Sequence, residues 1–289
     1  MKNILVILDK PKHEQIALQR AMALAEAAGV RLHLVSFAYE PQLTLPGVHE
    51  ATEDLVQTMV SGREHWLEEL RKRHQLPADT VTEAVWHYSI ANWTQEALVR
   101  KPFDLVIKTA QKQFGRGGFG SIDWQLIERS PVPLWLAVST PWVKRERLVA
   151  ALDPSVDNPL HQELNLRVLT IGDRLTQLLN AQMEAVACLP GVGVLEELGL
   201  APRPDTSAEQ QRSLREHLQA MIADSGASCS EMHLVSGKPA REVNRIVDRN
   251  KARLMLVGRG VRKGPAGLLL GNTAERILAR SNTDVLIVP

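Results

Sequence analysis

Two short apolar stretches, ILVILD at residues 4–9 and LVAALD at residues 148–153, decide the fold of this chain. Each has the length of a buried β-strand and ends in an aspartate. Each is followed by a turn-forming proline, Pro11 or Pro154, and then by a helical periodicity. The stretches lie 144 residues apart in a chain of 289 residues, counted from Ile4 to Leu148. The chain is therefore expected to contain one domain twice.

The strands and helices expected from the sequence recur in the same order in both halves. After the first strand we expect helices at 14–28 and 160–179, strands at 31–37 and 183–189, helices at 52–74 and 207–225, strands at 82–87 and 231–235, helices at 95–100 and 240–250, and strands at 104–108 and 253–257. Strands that alternate with helices favour parallel sheets covered on both faces. We predict an α/β fold with two tandem, open, five-stranded, mostly parallel sheets with helices on both faces, in domains 1–142 and 143–289.

The two copies differ in composition although their last segments align well. Gly120 through Val138 matches Gly271 through Pro289 at a spacing of 151 residues, and loop insertions in one copy would produce the drift from 144. All six Trp, four Phe and two Tyr lie within the first 142 residues, whereas both cysteines lie in the second copy. We therefore expect cores or surfaces that have diverged.

Composition excludes several classes of function. The formal net charge is +1 and no basic run is interleaved with aromatic residues, so no nucleic-acid partner is expected. The apolar runs are far shorter than the ~20 residues of a membrane span, so no membrane partner is expected either. The apolar run at residues 4–8 is too short for a signal-peptide core. Cys188 and Cys229 form no CxxC pair. A soluble cytoplasmic protein is the simplest expectation.

The strongest chemical signal is a glycine-bearing loop in the second copy. VGRGV at residues 257–261 follows the fourth strand, and GNTAE at residues 271–275 opens the next helix. Glycines let a ligand approach the main chain, and the free N–H groups and partial positive charge of a helix N-terminus favour phosphate. An ordinary strand–loop–helix connection is the alternative. The residues expected to bind a ligand here are Gly258, Arg259, Gly260, Val261, Gly271, Asn272 and Thr273.

Asp153 strengthens the interpretation as a ligand site, because it ends the first strand of the same copy. Ligands of open parallel sheets bind outside the carboxyl ends of the strands, where the strand order reverses. If the first and fourth strands are neighbours there, Asp153 and Gly258 face one crevice, which Ala151 and Cys188 are expected to line. Cys188 is expected to be a small apolar lining residue rather than a nucleophile. A simple turn-forming role of Asp153 stays open, since Asp9 holds the same place in the first copy.

Other motifs are absent or misplaced. GRGGFG at residues 115–120 satisfies GxGxxG, but it follows the fourth strand after a polar stretch, so a flexible glycine-rich loop is the better interpretation. The sequence has no P-loop, no GxSxG elbow and no HExxH. The nine histidines are scattered, so no zinc site is predicted. No catalytic residue is predicted.

The strand order, the aspartate after the first strand and the strand–loop–helix segment resemble the universal stress proteins, once per copy, in their tandem two-domain form. ATP-binding members of that family carry G-x2-G-x9-G-[S/T] at the fourth strand. Gly258 and Gly271 stand at the first and last glycine positions. Val261 stands at the middle glycine, and Asn272 stands where Ser or Thr is usual. VSGKP at residues 235–239 also resembles the V-x-G-x-P segment of the family.

The resemblance implies ATP or a related nucleotide in the second copy, with Mg²⁺ as an option through Asp153. It implies no ATP in the first copy, because Lys108 falls near the position of Gly258 and residues 92–94 lie where the second copy has residues 237–239. A salt bridge is the simplest role for Lys108. Single-domain relatives often dimerise through their last strands, so an intrachain pseudo-dimer through residues 134–138 and 285–288 is expected, and a homodimer stays open.

Three functions stay open on the sequence. The first is a regulatory module that binds an adenine nucleotide or another small phosphorylated ligand and is read by partners. The second is a slow ATPase, for which only Asp153 is a candidate. The third is a ligand-free interaction protein, which the departures at Val261 and Asn272 keep open because they make the motif imperfect. We rank them in that order, because a fold does not by itself specify a function.

Overall fold

The computed structural model describes residues 1–41, 53–111, 118–138, 147–155, 158–190, 204–264 and 267–289. The chain divides into two compact units. One comprises Met1–Ala110 and Ser121–Ser139, and the other comprises Gln111–Gly120 and Thr140–Pro289. Within the described residues, no helix is long and apolar enough to cross a lipid bilayer.

Strands and helices alternate along both copies, as the sequence predicts. The strands are β1 (Asn3–Ile7), β2 (Arg31–Phe37), β3 (Val81–Val85), β4 (Leu105–Thr109), β5 (Leu134–Ala137), β6 (Arg147–Leu152), β7 (Gln182–Pro190), β8 (Glu231–Gly237), β9 (Leu254–Gly258), β10 (Val261–Gly264), β11 (Gly267–Leu270) and β12 (Asp284–Val288). The helices are α1 (Ile16–Ala28), α2 (Glu53–Arg73), α3 (Ile90–Arg100), α4 (Ser121–Arg129), α5 (Pro159–Leu179), α6 (Pro204–Ser225), α7 (Pro239–Arg249) and α8 (Asn272–Arg280).

Each copy contains five parallel strands in the same spatial order. The first copy has the order β3-β2-β1-β4-β5, and the second has β8-β7-β6-β9-β12. In both, the order reverses between the first and the fourth strand of the copy, so β1 lies beside β4 and β6 lies beside β9. This reversal is the place where open parallel sheets bind ligands. The mostly parallel α/β fold predicted from the sequence is confirmed.

The central strands are continuous apolar runs because they are buried on both faces, as parallel sheets require. Ile4, Leu5 and Val6 of β1 are completely buried, and so are the three residues 148–150 of β6. Local sequence sets the helix ends. Asn158 caps α5 by accepting a hydrogen bond from the backbone N–H of Leu160, and α5 then begins with Pro159.

A short antiparallel hairpin, β10–β11, replaces the irregular loop that the sequence suggested between Gly260 and Gly271. Val261 pairs with Leu270, and Gly264 pairs with Gly267. The backbone N–H of Gly271 donates to the carbonyl of Gly260, with 2.5 Å between nitrogen and oxygen, and this bond joins the two ends of the hairpin. The glycine-bearing segment is therefore a hairpin that leads directly into α8.

A histidine–glutamate pair occurs in both copies with the two residue types exchanged. In the first copy His33 on β2 contacts Glu83 on β3, with 2.8 Å between Nε2 and Oε2. In the second copy Glu184 on β7 contacts His233 on β8, with 2.9 Å between Oε2 and Nε2. The strand registers place His33 and Glu184 at equivalent positions, and likewise Glu83 and His233. The exchange keeps the pair while reversing its direction, which supports a common origin of the two copies.

Candidate ligand cleft of the second copy

A cleft of about 500 Å³ opens at the carboxyl ends of β6 and β9, where the strand order reverses. This volume lies in the range of small-molecule sites. Both apolar side chains and polar groups line it. The lining residues are Ala151, Leu152, Asp153, Ser155, His161, Leu164, Asn165, Cys188, Pro239, Val243, Val257, Gly258, Gly260, Gly271, Asn272, Thr273, Ala274 and Ile277.

Asn165 fixes the main chain of Asp153 where β6 ends. Its Nδ2 donates to the carbonyl of Asp153 at 2.9 Å, and its Oδ1 accepts from the backbone N–H of Asp153 at 3.3 Å. Asn165 is only 5% exposed. The oxygen and the nitrogen of its side-chain amide therefore both need hydrogen-bond partners within the protein. Helix α5 thereby fixes the main chain of Asp153 at the rim of the cleft.

The carboxylate of Asp153 is half-exposed and has polar neighbours on both sides. Its Oδ1 accepts hydrogen bonds from the backbone N–H and the hydroxyl of Ser155, at 3.1 Å and 2.5 Å. Its Oδ2 lies 3.9 Å from Nε2 of His161, and 47% of the Asp153 side chain is exposed. The bonds to Ser155 bear out the turn-forming role, while the exposed Oδ2 edge stays accessible to a ligand.

Gly258 ends β9 against the side chain of Leu164. A Cβ atom at residue 258 would lie 2.8 Å from Cγ of Leu164, closer than real side chains approach. Leu164 projects from α5 and is 8% exposed, so it cannot simply swing into solvent. Glycine is therefore needed at residue 258 because of packing against Leu164, which the sequence did not reveal. Glycine also leaves the end of β9 open toward the cleft.

The N-terminus of α8 forms one wall of the cleft. Gly271 is the N-cap of α8, and no side chain caps the helix there. A Cβ atom at Gly271 would lie 3.1 Å from the carbonyl oxygen of Gly260, so glycine suits this close approach of two main chains. The first N–H groups of a helix have no partner within the helix and carry partial positive charge, which favours an anionic ligand. Asn272 and Thr273 line the cleft beside these groups.

Cys188 lies at the side of the cleft as a protonated thiol. Burial, together with the nearby carboxylates of Glu242 and Asp153, raises the pKa of Cys188 to about 11. The thiol contacts the carbonyl oxygen of Gly237, with 3.4 Å between sulfur and oxygen. A thiol of this kind is a poor nucleophile at neutral pH. The expectation that Cys188 is a lining residue agrees with its place in the structure.

The structure brings most of the predicted site residues to this one cleft. The predicted residues that line it are Ala151, Asp153, Cys188, Gly258, Gly260, Gly271, Asn272 and Thr273. Arg259 does not line it: its guanidinium is half-buried, and burial, with the nearby Arg167, lowers the pKa of Arg259. Val261 begins β10, and its side chain lies outside the described residues.

Three lining residues on α5 were missed by sequence reasoning. His161, Leu164 and Asn165 are spaced i, i+3 and i+4, so they lie on one face of the helix. That spacing was a usable signal, because the helix follows the strand that ends in Asp153. His161 also approaches Gly260, with its Cε1 3.8 Å from a Cβ atom built there.

Among the described residues of the first copy, a buried ion pair lies at the corresponding place. Lys108 lies opposite Ile7, as Val257 lies opposite Ala151, so the strand registers make Lys108 the counterpart of Val257. Its Nζ lies 2.8 Å from Oδ1 of Asp123, and the two side chains are 5% and 0% exposed. The ammonium also donates to the carbonyl of Thr109 at 2.8 Å. The salt-bridge role expected for Lys108 is confirmed.

Lys108 lies next to the counterpart of Gly258, as expected: that counterpart is Thr109, which follows the residue equivalent to Val257. One placement from the sequence is wrong. Residues 92–94 are not at the place of residues 237–239. They lie inside α3. Helices α3 and α7 each have eleven residues and begin at Ile90 and Pro239, so Ile90 is the counterpart of Pro239. The sequence comparison missed this because the loop before each helix differs in length.

In the first copy, aromatic side chains occupy the positions that correspond to the Cys188 side of the cleft. Phe37 holds the register position of Cys188, and its ring meets that of Trp93 edge to face with 5.4 Å between centroids. Trp93 is 5% exposed and corresponds to Glu242 in the eleven-residue helix. The concentration of aromatic residues in the first copy thus has a structural consequence: two large rings stand where the second copy has Cys188 and Glu242.

The side chains around Asp153 provide few of the ligands that a magnesium ion needs. Among the described residues, a cluster of three potential metal ligands occurs elsewhere, at Glu184, Glu231 and His233. Asp153 belongs to no such group. It could therefore contribute one carboxylate to an ion whose remaining ligands come from a bound phosphate and water.

Comparisons with known proteins agree with this architecture. The chain is 26% identical over 299 residues to universal stress protein E of Escherichia coli K12, covering 99% of this chain and 93% of that protein. It is 25% identical over 300 residues to the universal stress protein E homolog of Haemophilus influenzae, covering 99% and 96%. A solved putative universal stress protein from Pseudomonas aeruginosa UCBPP-PA14 has the same fold, with a TM-score of 0.75, 21% identity and 99% and 92% coverage.

The fold and its cleft define a tandem α/β protein with a ligand-sized opening at the strand-order reversal of one copy. The model of the universal stress protein family matches the chain twice, at residues 1–137 and 147–289. The chain therefore belongs to the universal stress protein family.

Proposed function

We propose that this stress protein is a regulatory module that binds an adenine nucleotide, or another small phosphorylated ligand, in the cleft of its second copy. The observation that carries the proposal is the convergence of the uncapped N-terminus of α8 with Gly258, Gly260 and Asp153 around one cleft of about 500 Å³. A phosphate group bound at the α8 N-terminus would accept hydrogen bonds from its free N–H groups.

The rest of the cleft suits the apolar and polar parts of a nucleoside. Cys188, Val243 and Ile277 offer apolar surface for a base, and the half-exposed Asp153 carboxylate offers an acceptor for a ribose hydroxyl. Where Mg²⁺ accompanies the phosphates, Asp153 is the residue that would share it. The buried Lys108–Asp123 pair and the Phe37–Trp93 contact argue for the second copy as the single site.

Thermal stabilisation by ATP, ADP and AMP, measured with the full chain, tests the proposal. A nucleotide at one hundred times its Kd adds about 2.7 kcal/mol to the free energy of unfolding, which corresponds to a rise of roughly 5–10 °C in the Tm of a unit of this size. Gly271→Trp should abolish the rise, because the indole would occupy the space between Gly271 and the carbonyl of Gly260.

Gly120→Trp is the matched control. Gly120 holds the equivalent place in the first copy, where its N–H donates to the carbonyl of Gln111 at 2.6 Å and a Cβ atom would lie 3.1 Å from Cβ of Gln111. The rise in Tm should survive this substitution. A rise in Tm that survives Gly271→Trp would show that the nucleotide does not bind in the cleft. If none of the nucleotides raises the Tm, the protein binds another phosphorylated ligand or no ligand.

A further inference from the structure

Four arginines line a surface groove of α7 and α8 that shares no lining residue with the cleft. Arg241, Arg245 and Arg249 are spaced by four residues, so they form a stripe along one face of α7. Arg280 at the end of α8 completes the groove, which has a volume of about 710 Å³. The remaining lining residues are Ala240, Asn244 and Asp248. The cleft-lining residues Pro239 and Val243 lie on a different face of α7.

The groove carries an excess of positive charge that the chain neutralises only in part. Asp248 is the one carboxylate among its lining residues. Glu242 pairs with Arg245 at 2.6 Å and lies 3.8 Å from Arg241, but 58% and 75% of these arginine side chains are exposed. In the part of the chain that the structure describes, Arg280 makes no hydrogen bond or ion pair through its guanidinium. The groove therefore keeps donors for an incoming ligand, although the whole chain has a net charge of only +1.

The same groove in the first copy has two fewer arginines. Arg100 and Arg129 stand in the places of Arg249 and Arg280, because the paired helices have equal lengths. The fold therefore does not require the other two arginines, Arg241 and Arg245. Helices α3 and α7 have equal length, which makes Asn92 the counterpart of Arg241 and Glu96 the counterpart of Arg245. Val99, which is 88% exposed, stands in place of Asp248. The additional positive charge of Arg241 and Arg245 is thus particular to the second copy.

We propose that the groove docks an acidic segment of a partner protein, one that presents carboxylates about one helical turn apart. Four residues of α7 rise about 6 Å, so the three arginines of the stripe span about 12 Å, which matches glutamates at i, i+4 and i+8 of a facing helix. All four cations are arginines, whose planar guanidinium binds carboxylates in a two-pronged geometry that lysine lacks.

A protein segment fits the groove better than a nucleic acid does. The stripe is short, and Asp248 within it would repel a run of phosphates but could pair with a basic residue of a partner protein. A nucleic-acid surface would be expected to extend over a larger basic face with interleaved aromatic residues, and the second copy contains no aromatic residue.

Fluorescence anisotropy with the full chain tests the proposal. The probe is a labelled helical peptide with glutamates at every fourth position. The comparison ligands are the same peptide with glutamines and a single-stranded oligonucleotide of equal charge. We expect binding of the glutamate peptide that weakens with salt, no binding of the glutamine peptide, and a loss of about tenfold in affinity for Arg249→Glu/Arg280→Glu.

A second double variant, Arg212→Glu/Arg276→Glu, is the matched control, because both residues are exposed, lie outside the groove and change the net charge equally. It should bind the glutamate peptide as the natural chain does. Equal losses in both double variants, binding of the glutamine peptide, or no binding of the glutamate peptide by the natural chain would overturn the proposal. So would tighter binding of the oligonucleotide through the same arginines, which would assign the groove to nucleic acid.

Discussion

The buried ion pair at the strand-order reversal of the first copy offers a quantitative test of how the two side chains stabilise that copy. Lys108 and Asp123 lie 2.8 Å apart, and their side chains are 5% and 0% exposed. Removing one partner from such a pair strands an uncompensated charge and costs about 3–5 kcal/mol of folding free energy. We therefore expect Lys108→Met to cost about 5 kcal/mol. Asp123→Leu should cost about 3 kcal/mol, because Lys108 keeps the carbonyl of Thr109 as an acceptor.

The double variant Lys108→Met/Asp123→Leu should differ from the natural protein by no more than about 2 kcal/mol, because apolar residues of similar volume replace a buried pair at little cost. The two single costs would then exceed the cost of the double variant by several kcal/mol, which is the signature of direct coupling. Tryptophan fluorescence during urea unfolding is the assay. All six tryptophans lie in the first 142 residues, so the signal reports on the first copy.

Additive losses, with the double variant less stable than either single variant, would refute the reasoning. They would mean that the lysine and the aspartate do not stabilise each other and that the first copy is closed by its aromatic residues alone.

Three further predictions concern other parts of the chain. Gly258→Ala should cost about 1–3 kcal/mol by overpacking against Leu164, and should cost less in a Leu164→Ala background; denaturation followed by circular dichroism measures both. Burial raises the pKa of Cys188 and that of Cys229 from 9.0 to about 11, so both thiols should react with iodoacetamide roughly a hundredfold more slowly than a free thiol, and nucleotide should protect Cys188 but not Cys229. Burial lowers the pKa of His33 below 6.5, partly opposed by its bond to Glu83, so the folded state binds fewer protons than the unfolded state. The stability of the first copy should therefore be retained above about pH 6.5 and fall as the pH drops below it, and an unchanged slope in His33→Gln would contradict this assignment.

The sequence predicts the fold well because strand-sized apolar runs and helical periodicity are local signals. The runs at residues 4–8 and 148–152 become β1 and β6, which lie in the middle of their sheets. The reversal point and the placement of Asp153 beside Gly258 follow from the same pattern. The hairpin β10–β11 was not foreseen, because its pairing of residues 261–264 with 267–270 has no alternation that distinguishes it from a loop.

The cleft shows where sequence reasoning ends. The residue types of the loop indicated a ligand site, but the packing of Gly258 on Leu164 depends on the distance between β9 and α5, which no local pattern encodes. The same holds for Asn165, whose importance comes from bonds to a residue twelve positions away. In the first copy, the partnership of Lys108 with Asp123 could be read only after the strand register was known.

The central claim is that one of two related copies keeps a ligand cleft while the other has filled its own. Isothermal titration of the full chain with the adenine nucleotide that stabilises it most tests this claim directly. The account predicts one nucleotide per chain, with binding lost in Gly271→Trp and kept in Gly120→Trp. Two nucleotides per chain, or one whose binding is lost in Gly120→Trp and kept in Gly271→Trp, would contradict it.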